Sequence, residues 1–149
     1  MFIMKALVLF DSQFGNTKII AQIIAKELGK NVKAVSVSGF NIKSLKETNL
    51  LVVGSPIHGW RPSEKMVEFL AKLEKGQLEG VQAAAFDTRV KVFFHGDASK
   101  KIAKKLKQAG ASIIVNPEVF FVEGTNGPLL KGEIEKARVW AKSIKLRAV

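Results

Sequence analysis

The stretch LVLFDSQFGNTKIIAQIIAKEL, residues 7–28, decides how the rest of the chain is read. An apolar run stops at Asp11. A short polar loop with Gly15 and Asn16 follows, and Thr17 opens a segment with helical spacing. Ser12, Asn16 and Thr17 offer hydrogen-bond donors, and Gly15 lets backbone approach a ligand closely. The loop ends at the positive end of a helix, where free N–H groups point outward. These features suit a phosphate. They equally suit an ordinary strand-to-helix turn with Thr17 as N-cap.

Outward from this stretch, strand and helix patterns alternate five times. Strand one is Lys5 to Phe10, and helix one runs from about Thr17 to Leu28 with Ile19, Ile20, Ile23, Ile24 and Leu28 on one face. Gly29 follows as its stop. Strand two, Val32 to Val37, alternates valine with serine as an edge strand does, and a short helix covers Ile42 to Glu47. Strand three, Leu50 to Gly54, is continuously apolar and so buried on both faces. A loop from Ser55 to Arg61 leads to Pro62 and Ser63, which suit a helix start, and Met66, Phe69, Leu70 and Leu73 form that helix's stripe. Strand four is Val81 to Phe86. A loop from Asp87 to Ala98 leads to helix four, Ser99 to Ala109, which Gly110 ends. Strand five is Ser112 to Val115, interrupted by Pro117 and resuming at Val119 to Val122 at a sheet edge. Helix five covers Gly132 to Lys145, with Ile134, Ala137, Ala141 and Ile144 inward.

This order predicts one α/β domain over residues 1–149, with a parallel sheet covered by helices on both faces. Ligands of such sheets bind beyond the carboxyl ends of the strands, at the point where strand order reverses. The expected site therefore uses loops 11–17, 55–61 and 87–98. In the second loop, Trp60 offers a flat face for an aromatic ligand or a plug for the core, and Gly59 permits unusual backbone conformations. His58 stands beside them. In the third, Asp87, Thr88, Arg89, Phe93, Phe94, His95 and Gly96 are placed to wall the opposite side, with Phe93 and Phe94 open to a core role as well.

The totals bound the classes. The chain has 149 residues, 47% of them hydrophobic, enough for a real core. No apolar run reaches the ~20 residues of a membrane span. The segment MFIMKALVLF runs straight into strand one without a signal peptide's basic region or cleavage site, so a cytoplasmic location is expected. With no cysteine, disulfides, thiolate metal sites and a cysteine nucleophile are excluded. The two histidines, His58 and His95, lack metal-site spacing. The chain has no G-x-x-x-x-G-K-[ST], G-x-G-x-x-G or G-x-S-x-G. A phosphoacceptor domain of the same topology would carry acidic residues after strands one and three, and strand three ends in Gly54 and Ser55.

At FDSQFGNTKIIA, residues 10–21, the chain resembles the flavodoxin family in its short-chain form. The family's phosphate loop is roughly T/S-x-T/S-G-x-T/S. Ser12, Gly15 and Thr17 match it, Asn16 is a common occupant, and Phe14 departs where a hydroxyl is usual. The stretch VVGSPIHGWRPSEKMVEFL is similar to the family's second flavin loop, and AAAFDTR resembles a strand-four ending in the same superfamily. The resemblance covers the whole chain. It implies a doubly wound five-stranded sheet of order 2-1-3-4-5 and FMN as cofactor. Ser12, Gln13, Phe14, Gly15, Asn16 and Thr17 would hold its phosphate. Ser55, Pro56, Ile57, His58, Gly59 and Trp60, with Asp87, Thr88, Arg89, Phe94, His95 and Gly96, would flank its ring. Trp60 is the expected stacking face. The family often stacks a tyrosine on the other face, and this chain has none, which leaves Phe94, His95 or an open face.

The resemblance implies an electron carrier between protein partners. The alternatives are an FMN-dependent oxidoreductase acting on a quinone or porphyrinogen, and an interaction module that has lost FMN. The net charge of +11 favours anionic partners, although it also fits a solvated lysine-rich surface. No arginine-rich or aromatic-interleaved tract supports nucleic-acid binding. Helix 99–109 carries Lys100, Lys101, Lys104, Lys105 and Lys107, a basic face that fits a solvated helix first and otherwise a docking surface for an acidic redox partner. Arg61, Arg89 and Lys91 outnumber Asp87 and Asp97 in the flavin loops, so a less negative reduction potential than in acidic flavodoxins is expected. Gly59 is expected to allow a backbone change on reduction.

Overall fold

Val8 and Leu9 have no solvent exposure, because β1 (Ala6–Phe10) lies in the middle of the sheet with apolar layers on both sides. The computed structural model describes residues 3–91 and 96–149. After β1 come α1 (Asn16–Leu28), β2 (Lys33–Ser36), a short 3-10 helix (Ile42–Glu47), β3 (Leu50–His58) and β4 (Arg61–Pro62). Then follow α2 (Glu64–Ala71), β5 (Gln82–Val90), α3 (Ala98–Gln108), β6 (Ser112–Ile113), β7 (Glu118–Val122) and α4 (Glu133–Arg147).

The parallel order is β2-β1-β3-β5, with both β6 and β7 beside β5. This is the expected order 2-1-3-4-5, its fifth place shared by two short strands on either side of Pro117. β6 pairs with the start of β5 (Gln82↔Ser112) and β7 with its end (Phe86↔Glu118 to Val90↔Val122).

The two faces follow the strand period of two. Leu51 and Val53 of β3 join Met66, Phe69 and Leu70 of α2 and Ile102 and Leu106 of α3. Leu50 and Val52 join Ile20, Ile24 and Leu28 of α1 and Ala137, Trp140 and Ala141 of α4. On that second face Phe86, Phe120 and Trp140 form an edge-on trio with ring centroids 5.8–6.0 Å apart. Phe86 lies over Gly54, where a Cβ would meet the ring at 2.0 Å. That glycine makes room for a ring, not a turn.

Four expectations are corrected. Ile19 is 42% exposed, and the buried face of α1 is Thr17, Ile20, Ala21, Ile24, Ala25 and Leu28. Alanines take the inner positions because α1 packs against Ala137 and Ala141 of α4. Ile134 likewise points out, while Trp140 is buried in its place and the Glu133 carboxylate turns in to accept the Phe121 N–H at 3.0 Å. β3 continues past Gly54 to His58, because Ser55 and Pro56 keep pairing with Asp87 and Thr88 of β5. β5 continues past Phe86 to Val90, because β7 supplies its ladder partner there.

Candidate functional site

The carboxyl ends of β1, β3, β5 and β7 enclose a cleft of about 100 Å³. The first loop gives it Gln13, Phe14, Asn16 and Thr17. The end of β3 gives Pro56, Ile57 and His58, and the end of β5 gives Thr88, Arg89 and Val90. Val122 and Thr125 complete it from the end of β7. Val90, Val122 and Thr125 had not been expected. The strand-end rule would have found the last two had β7 been counted as a full strand carrying its own terminal loop.

The first loop is shaped by Gly15, which sits in the left-handed region (φ +94°) as N-cap of α1. Its N–H and that of Lys18 both donate to the Ser12 hydroxyl, at 3.1 and 3.3 Å. The N–H groups of Asn16 and Thr17 have no acceptor among the described residues. Thr17 is only 2% exposed, so its N–H is a buried donor of the kind that native structures satisfy with a ligand or water. No acidic residue stands in the first turn of α1, so no carboxylate of that turn offsets the helix end's positive potential. The Asn16 side chain packs against Gly127, where a Cβ would lie 2.6 Å from its Oδ1. The Thr17 hydroxyl bonds that of Thr88 at 2.8 Å, tying the helix start to β5.

β3 and β4 form a tight hairpin, His58 facing Arg61, with Gly59 (φ +54°) and Trp60 (φ +73°) at its tip. Two consecutive positive φ values define the hairpin turn whose twist matches its strands. Trp60 is the one non-glycine with positive φ among the described residues, a strained conformation for a bulky side chain. Trp60 is 55% exposed and Phe14 51%. Lys101 Nζ donates to the Trp60 carbonyl at 2.8 Å. Gly96 abuts the same residue so closely that a Cβ would fall 2.1 Å from the Trp60 oxygen.

Other predicted residues support the cleft from behind. Ser55 is fully buried; its hydroxyl accepts the Ser63 N–H at 2.9 Å, and the Ser63 hydroxyl donates to Asp11 at 2.6 Å. Asp87 is fully buried and paired with Arg89, whose Nε donates to its Oδ1 at 2.8 Å and whose Nη2 donates to its Oδ2. The Ser99 N–H also donates to Asp87 at 2.8 Å. Arg89 Nη2 reaches on to Asp97 at 3.4 Å. Burial pushes the Asp87 carboxyl up, against the downward pull of Arg89 and the Ser99 N–H. Burial also raises Asp97, but the Lys100 N–H, the Ser99 hydroxyl and the charges of Arg89 and Lys100 win, so its pKa is lowered. Phe93, Phe94 and His95 lie outside the described residues.

A doubly wound α/β protein with an anion-receptive strand-end cleft is the class that this geometry defines. The flavodoxin family model matches residues 8–140, and the chain belongs to that family, whose cofactor is FMN. Solved structures agree in fold. A flavodoxin from the domain Archaea aligns at 22% identity and TM-score 0.78 over 97% of this chain and 99% of its own. Flavodoxin 2 from Bacillus cereus aligns at 22% identity and TM-score 0.81, covering 94% and 97%. The rubredoxin oxygen:oxidoreductase of Desulfovibrio gigas aligns at 18% identity and TM-score 0.73 over 95% of this chain and 35% of that one. No curated protein matches the chain by sequence.

Proposed function

We propose that the chain is an FMN-loaded electron carrier, one domain over residues 1–149, working in the cytoplasm between redox partner proteins. The observation that carries this reading is the pair of acceptor-less N–H groups at Asn16 and Thr17, at a helix start with no acidic residue in its first turn. They fit a phosphate, and exposed Phe14 and Trp60 fit an aromatic ring nearby. In this reading Ser12 to Thr17 hold the phosphate. The ring lies among Pro56 to Trp60 and the chain around Thr88, Arg89 and Gly96, with Trp60 stacked on one face. Ser55 and Asp87 act through the backbone they hold.

FMN supplies the one- and two-electron chemistry when bound, and the protein sets its affinity and potential. Thr17 and Thr88 fix the helix start, and the Asp87–Arg89 pair fixes the end of β5. The partners dock at the flavin loops and helix 99–109. No described helix is long and apolar enough to cross a membrane.

The test is absorbance after adding FMN and desalting. Retained flavin bands with quenched flavin fluorescence support the reading. Colourless protein that also fails an FMN titration overturns it and leaves the interaction-module alternative. For the oxidoreductase alternative, a quinone reduced at the expense of a nicotinamide donor by the loaded protein alone would replace the carrier.

A further inference from the structure

On the face opposite α1 and α4, a groove of about 390 Å³ runs between α2 and α3. Pro62, Val67, Leu70 and Ala71 give it an apolar floor. Arg61, Lys101, Lys104 and Lys105 edge it. The three lysines stand at i, i+3 and i+4 and so share one side of α3. None of these four cations pairs with a carboxylate in the described residues, whereas Lys100, one position away, pairs with Asp97. Gathering four unpaired cations around one apolar trough is self-repulsive, and an anionic partner relieves it. One of the four, Lys101, also donates to the Trp60 carbonyl at the hairpin tip.

We propose that this groove takes an acidic, leucine-bearing segment of a protein partner, and that Lys101 reports its arrival to the Trp60 turn. Carboxylates of the segment meet the cationic edge while an apolar side chain covers Val67 and Ala71. The Lys101 ammonium is then shared between a partner carboxylate and the Trp60 oxygen. Docking thereby loosens a turn already held in a strained conformation. This coupling rests on the carrier reading; the groove does not.

The test is an amide NMR titration of the full chain with a short glutamate-rich peptide carrying two leucines, before and after FMN is added. Saturable shifts are expected at Leu70, Ala71, Lys104, Lys105 and Gln108, together with Trp60. Lys104→Glu/Lys105→Glu weakens binding about tenfold or more, with FMN retention unchanged. Lys30→Glu/Lys33→Glu, an equal charge change elsewhere, weakens it far less. Equal loss in both double variants would show a net-charge effect and overturn the groove. Tighter binding of a single-stranded oligonucleotide at the same salt would overturn the protein partner. If Trp60 stays still while the groove saturates, or still moves in Lys101→Met, the coupling fails. Peptide binding without FMN binding leaves the groove standing and removes the carrier reading; the reverse removes only the groove.

Discussion

Thr17 and Thr88 join hydroxyl to hydroxyl at 2.8 Å in a buried position, 71 residues apart in sequence. Through this bond the start of α1 is set by the end of β5. Thr88→Val keeps the shape and leaves the Thr17 hydroxyl without its partner, at a cost of about 1–3 kcal/mol. A urea titration should show a lower midpoint with an unchanged slope. Thr17→Val/Thr88→Val removes both partners and should recover part of that stability. It should not recover FMN affinity, since the bond that sets the helix start carrying the Asn16 and Thr17 N–H groups is gone.

Trp60 sets ring contact against backbone strain. Trp60→Gly should relieve the positive φ and stabilise the flavin-free protein by up to about 1 kcal/mol. The same change removes the stacking face and should weaken FMN about three- to tenfold. Thermal melting without flavin and a fluorescence titration with it should therefore move in opposite directions. Unchanged FMN affinity would place the ring elsewhere.

Asp97 caps α3, its Oδ1 accepting the Lys100 N–H at 3.0 Å and the Ser99 hydroxyl at 2.9 Å. Asp97→Ala should cost about 1 kcal/mol at neutral pH. Its folded pKa is lowered from the ordinary 3.8, so the ionised carboxylate contributes fully above that value. The contribution is lost as pH falls through the lowered folded value. The stability gap between wild type and variant should be wide at pH 7 and narrow below 3.8. Asp87 is raised instead, so the folded protein takes up its proton before the unfolded chain does, an effect of opposite sign. Urea titrations across this pH range read the difference.

The reduction potential should be less negative than in acidic flavodoxins, but for a narrower reason than composition gives. Arg89 is held between Asp87 and Asp97, so its charge is already answered. Exposed Arg61, Lys91 and Lys101 remain to favour the reduced, more negative ring. Lys91→Glu or Arg61→Glu should lower the potential by an amount on the order of tens of millivolts, shrinking with added salt. A potentiometric titration matching the acidic members would remove this reading.

The strand order and the first loop were legible because each rests on local pattern: continuous apolar runs, helical spacing and a glycine before a helix. What escaped was decided by contacts between distant segments. The isoleucines of α1 come in adjacent pairs, and spacing alone could not say that alanines would face α4. Asp87-Thr88-Arg89 reads as a polar loop until β7 is known to pair with it and the two opposite charges to bury together. Nothing local marks Trp140 as buried, because its helix shows an aliphatic stripe without it. The hairpin at 58–61 carried its glycine signal, but nothing local announces a tryptophan with positive φ.

The two margins of the sheet differ in how they resist unwanted association. β2 is four residues long, starts with an exposed lysine and pairs on one side only, with β1, so its outer ladder is one that another chain could extend. At the other margin Pro117 breaks the strand, and the chain returns so that the Leu130 N–H bonds the Phe121 carbonyl and Val122 bridges Leu129. There β7 is sheathed by its own chain. The strand to protect in any engineered variant is therefore β2, where exposed Lys33 acts as gatekeeper.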